Sequence, residues 1–180
     1  MQFTVATYNI HKGFSHLTRR MVIHELKEKL HGLSADLLFL QEVQGVHHRN
    51  AGRYHDWPGK PQHEFIADQV WREVAYGKNA VYRHGHHGNA LLSRFPLGEV
   101  TDLTPLLWRD LPGARLPAAD NRPFPSEEAL AVQRLSSTGH WIVPVETPEG
   151  PLTLLAFAAT PPVFDGPEDR NGRRNADELA

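Results

Sequence analysis

Two polar residues set the chemistry open to this chain: the amide Asn9 in "TYNIHKGF" and the carboxylate Glu42 in "LLFLQEV". Each closes a run of strand-forming residues, an alternating one over Phe3 to Ile10 and a continuous apolar one in "ADLLFLQEV". Between them Val22, Leu26, Leu30 and Leu33 recur at helical spacing. They predict a helix over about 19–31, with Thr18 as N-cap and Gly32 as stop. Strand, helix and strand at this spacing make a crossover unit whose strands run parallel. Their carboxyl ends then share the crevice where open α/β sheets bind ligands. An acid beside a neutral amide suits a hard divalent cation there, since magnesium takes one or two carboxylates plus waters and phosphate oxygens. Glu42 is the expected direct ligand, and Asn9 the group that orients a water or a phosphate oxygen. Spacing alone leaves a second reading open, a solvated strand-end acid and a turn-forming asparagine.

Other elements follow from the same periodicities. Residues Val46 to Pro61 read as a polar loop, and "QHEFIADQVW" as a helix with Phe65, Ile66, Val70 and Trp71 on one side. "VAYGKNAVY" and "NALLSRFPL" read as strands separated by "RHGHHG". The stretch from Pro105 to Pro125 is dense in proline and turn residues, which predicts a long excursion. "HWIVPVE" and "LTLLAFA" form an expected hairpin, and "FDGPEDRNGRRNADELA" a polar loop that turns helical.

Net charge is −2 with a pI near 6.6, so no global basic field draws in nucleic acid. The absence of cysteine excludes disulfides and thiolate metal sites. No apolar run is long enough to span a bilayer, and no charged leader opens the chain, so a cytoplasmic protein without a transmembrane segment is expected. His84, His86 and His87, with His47 and His48, could suggest zinc or nickel, but they fall in two expected loops without helical spacing. Solvated loop histidines are the plainer reading. Asn89 begins a strand of the expected sheet and is a candidate substrate contact. Arg170 and Asn171 are others, placed to meet phosphate from a helix N-terminus, with Arg173 and Arg174 read as solvated charge.

"ATYNIHKG", "DLLFLQEV" and "GNALLSRFPL", in that order, resemble the opening motifs of the endonuclease/exonuclease/phosphatase superfamily, the deoxyribonuclease-like fold. The resemblance implies an α/β protein, a partial four-layered sandwich of two packed mixed β-sheets flanked by helices, as one domain over residues 1–180 that lacks C-terminal strands. It implies hydrolysis of phosphodiesters or phosphomonoesters with Mg²⁺ or Mn²⁺, on a nucleic acid, a nucleotide or a phospholipid headgroup. Asn9 matches the motif asparagine and Glu42 the metal-binding glutamate. Arg134, in "QRLSSTGHWIV", would approach substrate phosphate, as a guanidinium gives bidentate contacts to phosphoryl oxygens. A surface strand arginine is the equal alternative.

Two departures from the family pattern matter. The strand before "TPP" carries Ala158 and Ala159 where the family presents a histidine to the scissile phosphate. The family's Asp-x-Asn and Ser-Asp-His motifs imply the water-activating aspartate and its histidine, and no "GDxN" or "SDH" string stands in for them in this sequence. In-line attack needs a base or metal for the nucleophilic water, so weak activity of the chain alone is expected, or a non-catalytic remnant or binding module. A sandwich short of strands also leaves sheet open to self-association.

Overall fold

The computed structural model describes residues 2–180. The chain divides into two compact units, one running to Val100 and resuming over Ile142–Ala156, the other formed by Thr101–Trp141 and Phe157–Ala180.

In the first unit β1 (Val5–Asn9) pairs in parallel with β2 (Leu37–His47), in the register Val5 to Leu37 and Asn9 to Gln41. The crossover is α1 (Ile23–Gly32). The chain then forms α2 (His48–Arg53) and α3 (Gln62–Ala67), followed by the antiparallel pair β3 (Glu73–Tyr82) and β4 (Gly85–Ser93). The sheet order is β1-β2-β4-β3.

Period-2 alternation explains the core. Leu38, Leu40, Ala90 and Leu92 point to the face where Ile23, Leu30, Ile66, Ala67 and Trp71 pack, and all are buried. Leu37 and Leu91, one residue out of phase, are buried as well, so "LLFL" reads as continuously apolar. Trp71 also donates its indole N–H to the Ala35 carbonyl at 2.9 Å.

Local chemistry moves several boundaries. α1 begins at Ile23 with no side-chain cap, not at residue 19 behind Thr18. Phe14 and Met21 bridge as an antiparallel pair, and Arg19 adopts φ 53°, so residues 15–20 form a tight loop instead of a first helical turn. Thr18 serves that loop by accepting from the Arg20 N–H at 3.4 Å. α3 is shorter than its sequence pattern because Asp68 turns to φ 46°. The loop from Val46 holds the short α2, and His86 and His87 lie in β4, so they are strand residues and not loop residues.

The second unit opens with the two-residue β5 (Thr101–Asp102). It contains the small hairpin of β6 (Ala118–Ala119) and β7 (Arg122–Pro123), and α4 (Glu127–Val132), whose N-cap Ser126 accepts from the Ala129 N–H. The terminal α5 spans Arg170–Glu178. The strands β8 (His140–Thr147) and β9 (Gly150–Phe157), which belong to the first unit over Ile142–Ala156, form the expected hairpin. Buried Asp177 accepts from the Trp108 indole and the Arg115 N–H, both at 2.7 Å. Arg174 is not solvated charge. It donates to the backbone carbonyls of Leu135 and Arg134, where a guanidinium satisfies two acceptors that the irregular chain leaves unpaired. Arg173 likewise donates to the Leu116 carbonyl. His140 stacks on Phe157 with ring centroids 4.3 Å apart, a packing role.

Burial couples the first unit's stability to pH. His63 stacks on Tyr76 at 4.2 Å, and burial holds its imidazole below the ordinary value, with His86 adding to the shift and Glu64 opposing it. The unfolded chain therefore takes up its proton first as pH falls. Stability is complete above pH ~6.5 and declines below it, toward the lower folded value. Urea midpoints at pH 7.5 and 5.5 should differ, and His63→Phe, which keeps a stacked ring without the titration, should reduce that difference. An equal difference in both proteins overturns the assignment.

Candidate active site

Asn9 ends β1 and turns both ends of its amide to local use. Its Oδ1 accepts the His11 N–H at 2.9 Å, and its Nδ2 donates to Glu42 Oε1 at 3.2 Å. The first bond curls the chain into a turn over His11–Gly13, with His11, Lys12 and Gly13 at φ 46°, 59° and 80°. That turn carries Lys12 back over the strand ends, where its Nζ donates to Glu42 Oε2 at 2.9 Å. The His11 Nδ1 stands 3.9 Å from the same oxygen.

Glu42 does not end its strand, since β2 continues to His47. The carboxylate reaches the site because Glu42 adopts φ 53° within a register shift between Leu40 and Val43. A bulge of this kind re-aims one side chain while pairing resumes beyond it. A non-glycine residue in the left-handed region costs of order 1 kcal/mol or more, so the surrounding bonds must hold it there.

One of those bonds comes from α3. Gln62, 1% exposed, accepts the Gln44 N–H through Oε1 at 2.9 Å and donates Nε2 to the Lys12 carbonyl at 2.8 Å. It joins the bulged segment of β2 to the turn that bears Lys12. Gly13 is required there twice over: its φ is left-handed, and a Cβ would lie 2.5 Å from Gln62 Nε2.

Asn89 sits between Gly88, the register partner of Val43, and Ala90, the partner of Leu40, and so lies across from the bulge. It is 1% exposed; Oδ1 accepts from Asn79 Nδ2 at 3.0 Å, while its own Nδ2 is buried without a hydrogen-bond partner. Asn79 falls in a register shift of β3 between Lys78 and Ala80. Each strand thus brings one polar side chain toward this end of the sheet: Asn9, Glu42, Asn89 and Asn79. The His87 Nδ1 is also buried and unpaired; burial first, then the Lys12 charge, holds its imidazole below the ordinary value, with Glu42 opposing.

Asn9 and His11 border a cleft of about 550 Å³ that includes Tyr8, Phe14, His16 and Arg20. A larger cleft of about 930 Å³, lined by Met21, His24, Trp57 and Phe65, contains none of the four polar residues.

The donor set fits a hard divalent cation. Glu42 offers carboxylate oxygens with 36% of its side chain exposed, Asn9 offers an amide oxygen, and the unpaired, buried Asn89 Nδ2 belongs to the strand across the bulge. Among the described residues no three His, Asp or Glu side chains converge, so such an ion takes its remaining ligands from water and substrate.

Arg134, Arg170 and Asn171 belong to the second unit. Arg134 is exposed, and its carbonyl pairs with Arg174. The Arg170 guanidinium donates to Gln133 Oε1 at 2.6 Å. Asn171 pairs its backbone N–H with Asp165 and its Nδ2 with the Val163 carbonyl, so both secure the start of α5. Lys12, Gln62 and Asn79 were not anticipated from the sequence. Lys12 had a legible signal, a lysine followed by a glycine directly after the strand-ending amide.

A carboxylate and an amide thus meet at the end of a parallel strand pair, on a sheet of mixed direction. The model of the endonuclease/exonuclease/phosphatase family matches residues 6–178, and the chain belongs to that family. The family acts on phosphate esters and is in general dependent on divalent metals. YbhP of Escherichia coli (strain K12) is 48% identical over 95 residues, which are 53% of this chain and 38% of YbhP. The chain therefore spans less than two fifths of the length of the curated relatives it matches. Two solved structures share the fold. An endonuclease/exonuclease/phosphatase family protein from Leptotrichia buccalis C-1013-b has a TM-score of 0.56 at 12% identity, over 99% of this chain and 62% of its own. An endonuclease/exonuclease/phosphatase from Beutenbergia cavernae DSM 12333 has a TM-score of 0.52 at 16% identity, over 88% and 39%. No described helix is long and apolar enough to cross a membrane.

Electrostatics give the site a testable signature. Partial burial raises the Glu42 carboxyl, but the Lys12 and Asn9 hydrogen bonds and the nearby positive charge outweigh it, and the net shift is downward. The resulting stability is present above the unfolded value near 4.3 and is lost as pH falls through the lower folded value. A carbon-detected titration of the metal-free chain should place Glu42 below ordinary glutamates, and Lys12→Met should move it up. An unmoved midpoint excludes the ion pair as the cause.

Proposed function

We propose that this chain is a metal-dependent phosphoesterase module that hydrolyses phosphodiester or phosphomonoester bonds. The observation that carries the reading is the Asn9 to Glu42 hydrogen bond at the sheet end, beside an open cleft. Glu42 and Asn9 hold Mg²⁺ or Mn²⁺, which when bound neutralises phosphoryl charge. The substrate is a nucleic acid, a nucleotide or a phospholipid headgroup. Asn89, across the bulge that presents Glu42, offers an unpaired amide N–H to a phosphoryl oxygen.

In-line attack also needs a group to take the proton of the water. No "GDxN" or "SDH" string supplies that group here, and Ala158 and Ala159 stand where the resemblance implies a histidine that contacts the scissile phosphate. The 180-residue chain alone therefore turns over slowly. The same two alanines favour a second reading, a binding module of this fold without catalysis.

Turnover of bis(p-nitrophenyl) phosphate and p-nitrophenyl phosphate with Mg²⁺ or Mn²⁺ tests the first reading. We expect slow, metal-dependent release that falls at least about 100-fold in Glu42→Ala, the scale of losing one charge-stabilising group. No metal-dependent release above the Glu42→Ala background leaves the binding module. β1 is an edge strand with Val5 57% exposed, which supports self-association through the open sheet. Sedimentation velocity between 5 and 200 µM should then show a concentration-dependent shift that Val5→Lys suppresses, and a constant monomer would refute it.

A further inference from the structure

Lys12 stands where a cation is wanted. Its Nζ lies 2.9 Å from Glu42 Oε2, on the carboxylate whose other oxygen takes the Asn9 amide. Three features make this a built arrangement and not a passing surface pair. The turn that carries Lys12 is held in the left-handed region, with Gly13 fitted against Gln62. The Lys12 carbonyl is fixed by the buried Gln62 amide, which also grips the strand just beyond Glu42. The carboxylate itself is presented by a bulge and left-handed backbone. The backbone of residue 12 is thus clamped, while its four-carbon stem keeps its rotational freedom.

We propose that Lys12 is a resident counter-ion, which occupies Glu42 until a divalent cation displaces it and then serves as a phosphate-binding charge in the same crevice. The inference rests on the reading of Glu42 as a metal ligand. The physical argument is one of exclusion. A divalent cation bound to Glu42 would repel an ammonium held 2.9 Å from the same carboxylate, so an arriving ion favours driving Lys12 off. The displaced Nζ cannot travel far, because its backbone is tied by Gln62. The unpaired Asn89 N–H lies across the same bulge, two residues along β4 from His87, which feels the Lys12 and Glu42 charges. Bound phosphate supplies the negative charge that Lys12 lost.

The two roles predict effects of opposite sign, which a merely structural lysine would not produce. Mn²⁺ binding to the 180-residue chain is measured by electron paramagnetic resonance of the free ion, without phosphate. Inorganic phosphate binding is then measured by calorimetry at saturating Mn²⁺. Lys12→Met should bind Mn²⁺ roughly threefold to tenfold more tightly than wild type, and phosphate weaker by a similar factor, the range of one partly exposed ion pair. Lys12→Gln should shift both in the same directions, and Lys12→Arg should stay within about twofold on each, since it keeps the charge. Circular dichroism melts establish that each variant is folded, and either uncharged variant suffices. Unchanged or weaker Mn²⁺ binding on loss of the charge overturns the proposal, as does unchanged phosphate binding. Glu42→Gln separates the two readings: if it binds Mn²⁺ as wild type does, or wild type binds none, the metal-ligand reading falls and the proposal with it.

Discussion

The glutamate at position 42 organises everything around it because it sits in the middle of a strand and yet behaves as though it ended one. A regular strand would alternate its side chains through the two faces of the sheet, and a carboxylate among Leu40, Val43 and Gln44 would have no route to water. The bulge breaks that alternation for one residue and then lets pairing with β4 resume at Val43. The left-handed backbone this demands is held by bonds from three directions: the Asn9 amide, the Lys12 ammonium and, one step removed, the Gln62 side chain. None of the three is local in sequence. The site therefore exists only when β1, β2 and α3 are assembled together.

That dependence shows where core and chemistry meet. Ile66 and Ala67 anchor α3 in the apolar cluster with Ile23, Leu38 and Leu40, while Gln62, at the start of the same helix, faces the polar turn. One six-residue helix thus converts hydrophobic packing, which has no direction, into hydrogen bonds that do. Both polar atoms of the buried amide are bonded, so the groups that fix its orientation are also the ones that join strand to turn.

Much of this was legible in the sequence, and the misses share a cause. The parallel β1–β2 pair, the crossover helix and the β8–β9 hairpin follow from periodicity, because each depends on side chains that alternate or recur within one segment. Asn9 and Glu42 could be named because they end or interrupt such runs. The bulge at Glu42 could not, since it is a property of the pairing with β4 and leaves "LLFLQEV" unchanged as a string. Nor could the roles of Gln62 and Asn79, which are set by partners 50 and 10 residues away. Thr18 looked like a cap because the bridge between Phe14 and Met21, which takes up the chain before the helix, has no composition of its own. Arg174 looked solvated because nothing near it in sequence shows the two carbonyls, 39 and 40 residues away, that it satisfies.

Gly13 carries a consequence for how this protein can diverge. Position 12 can exchange one side chain for another at little cost to the backbone, so the charge over Glu42 is free to drift between descendants. Position 13 has no such latitude, since any methyl there collides with the Gln62 amide and strains the turn. Lineages that tune this site are expected to vary the lysine while the residue beside it stays fixed, a pairing of freedom and constraint separated by one peptide bond.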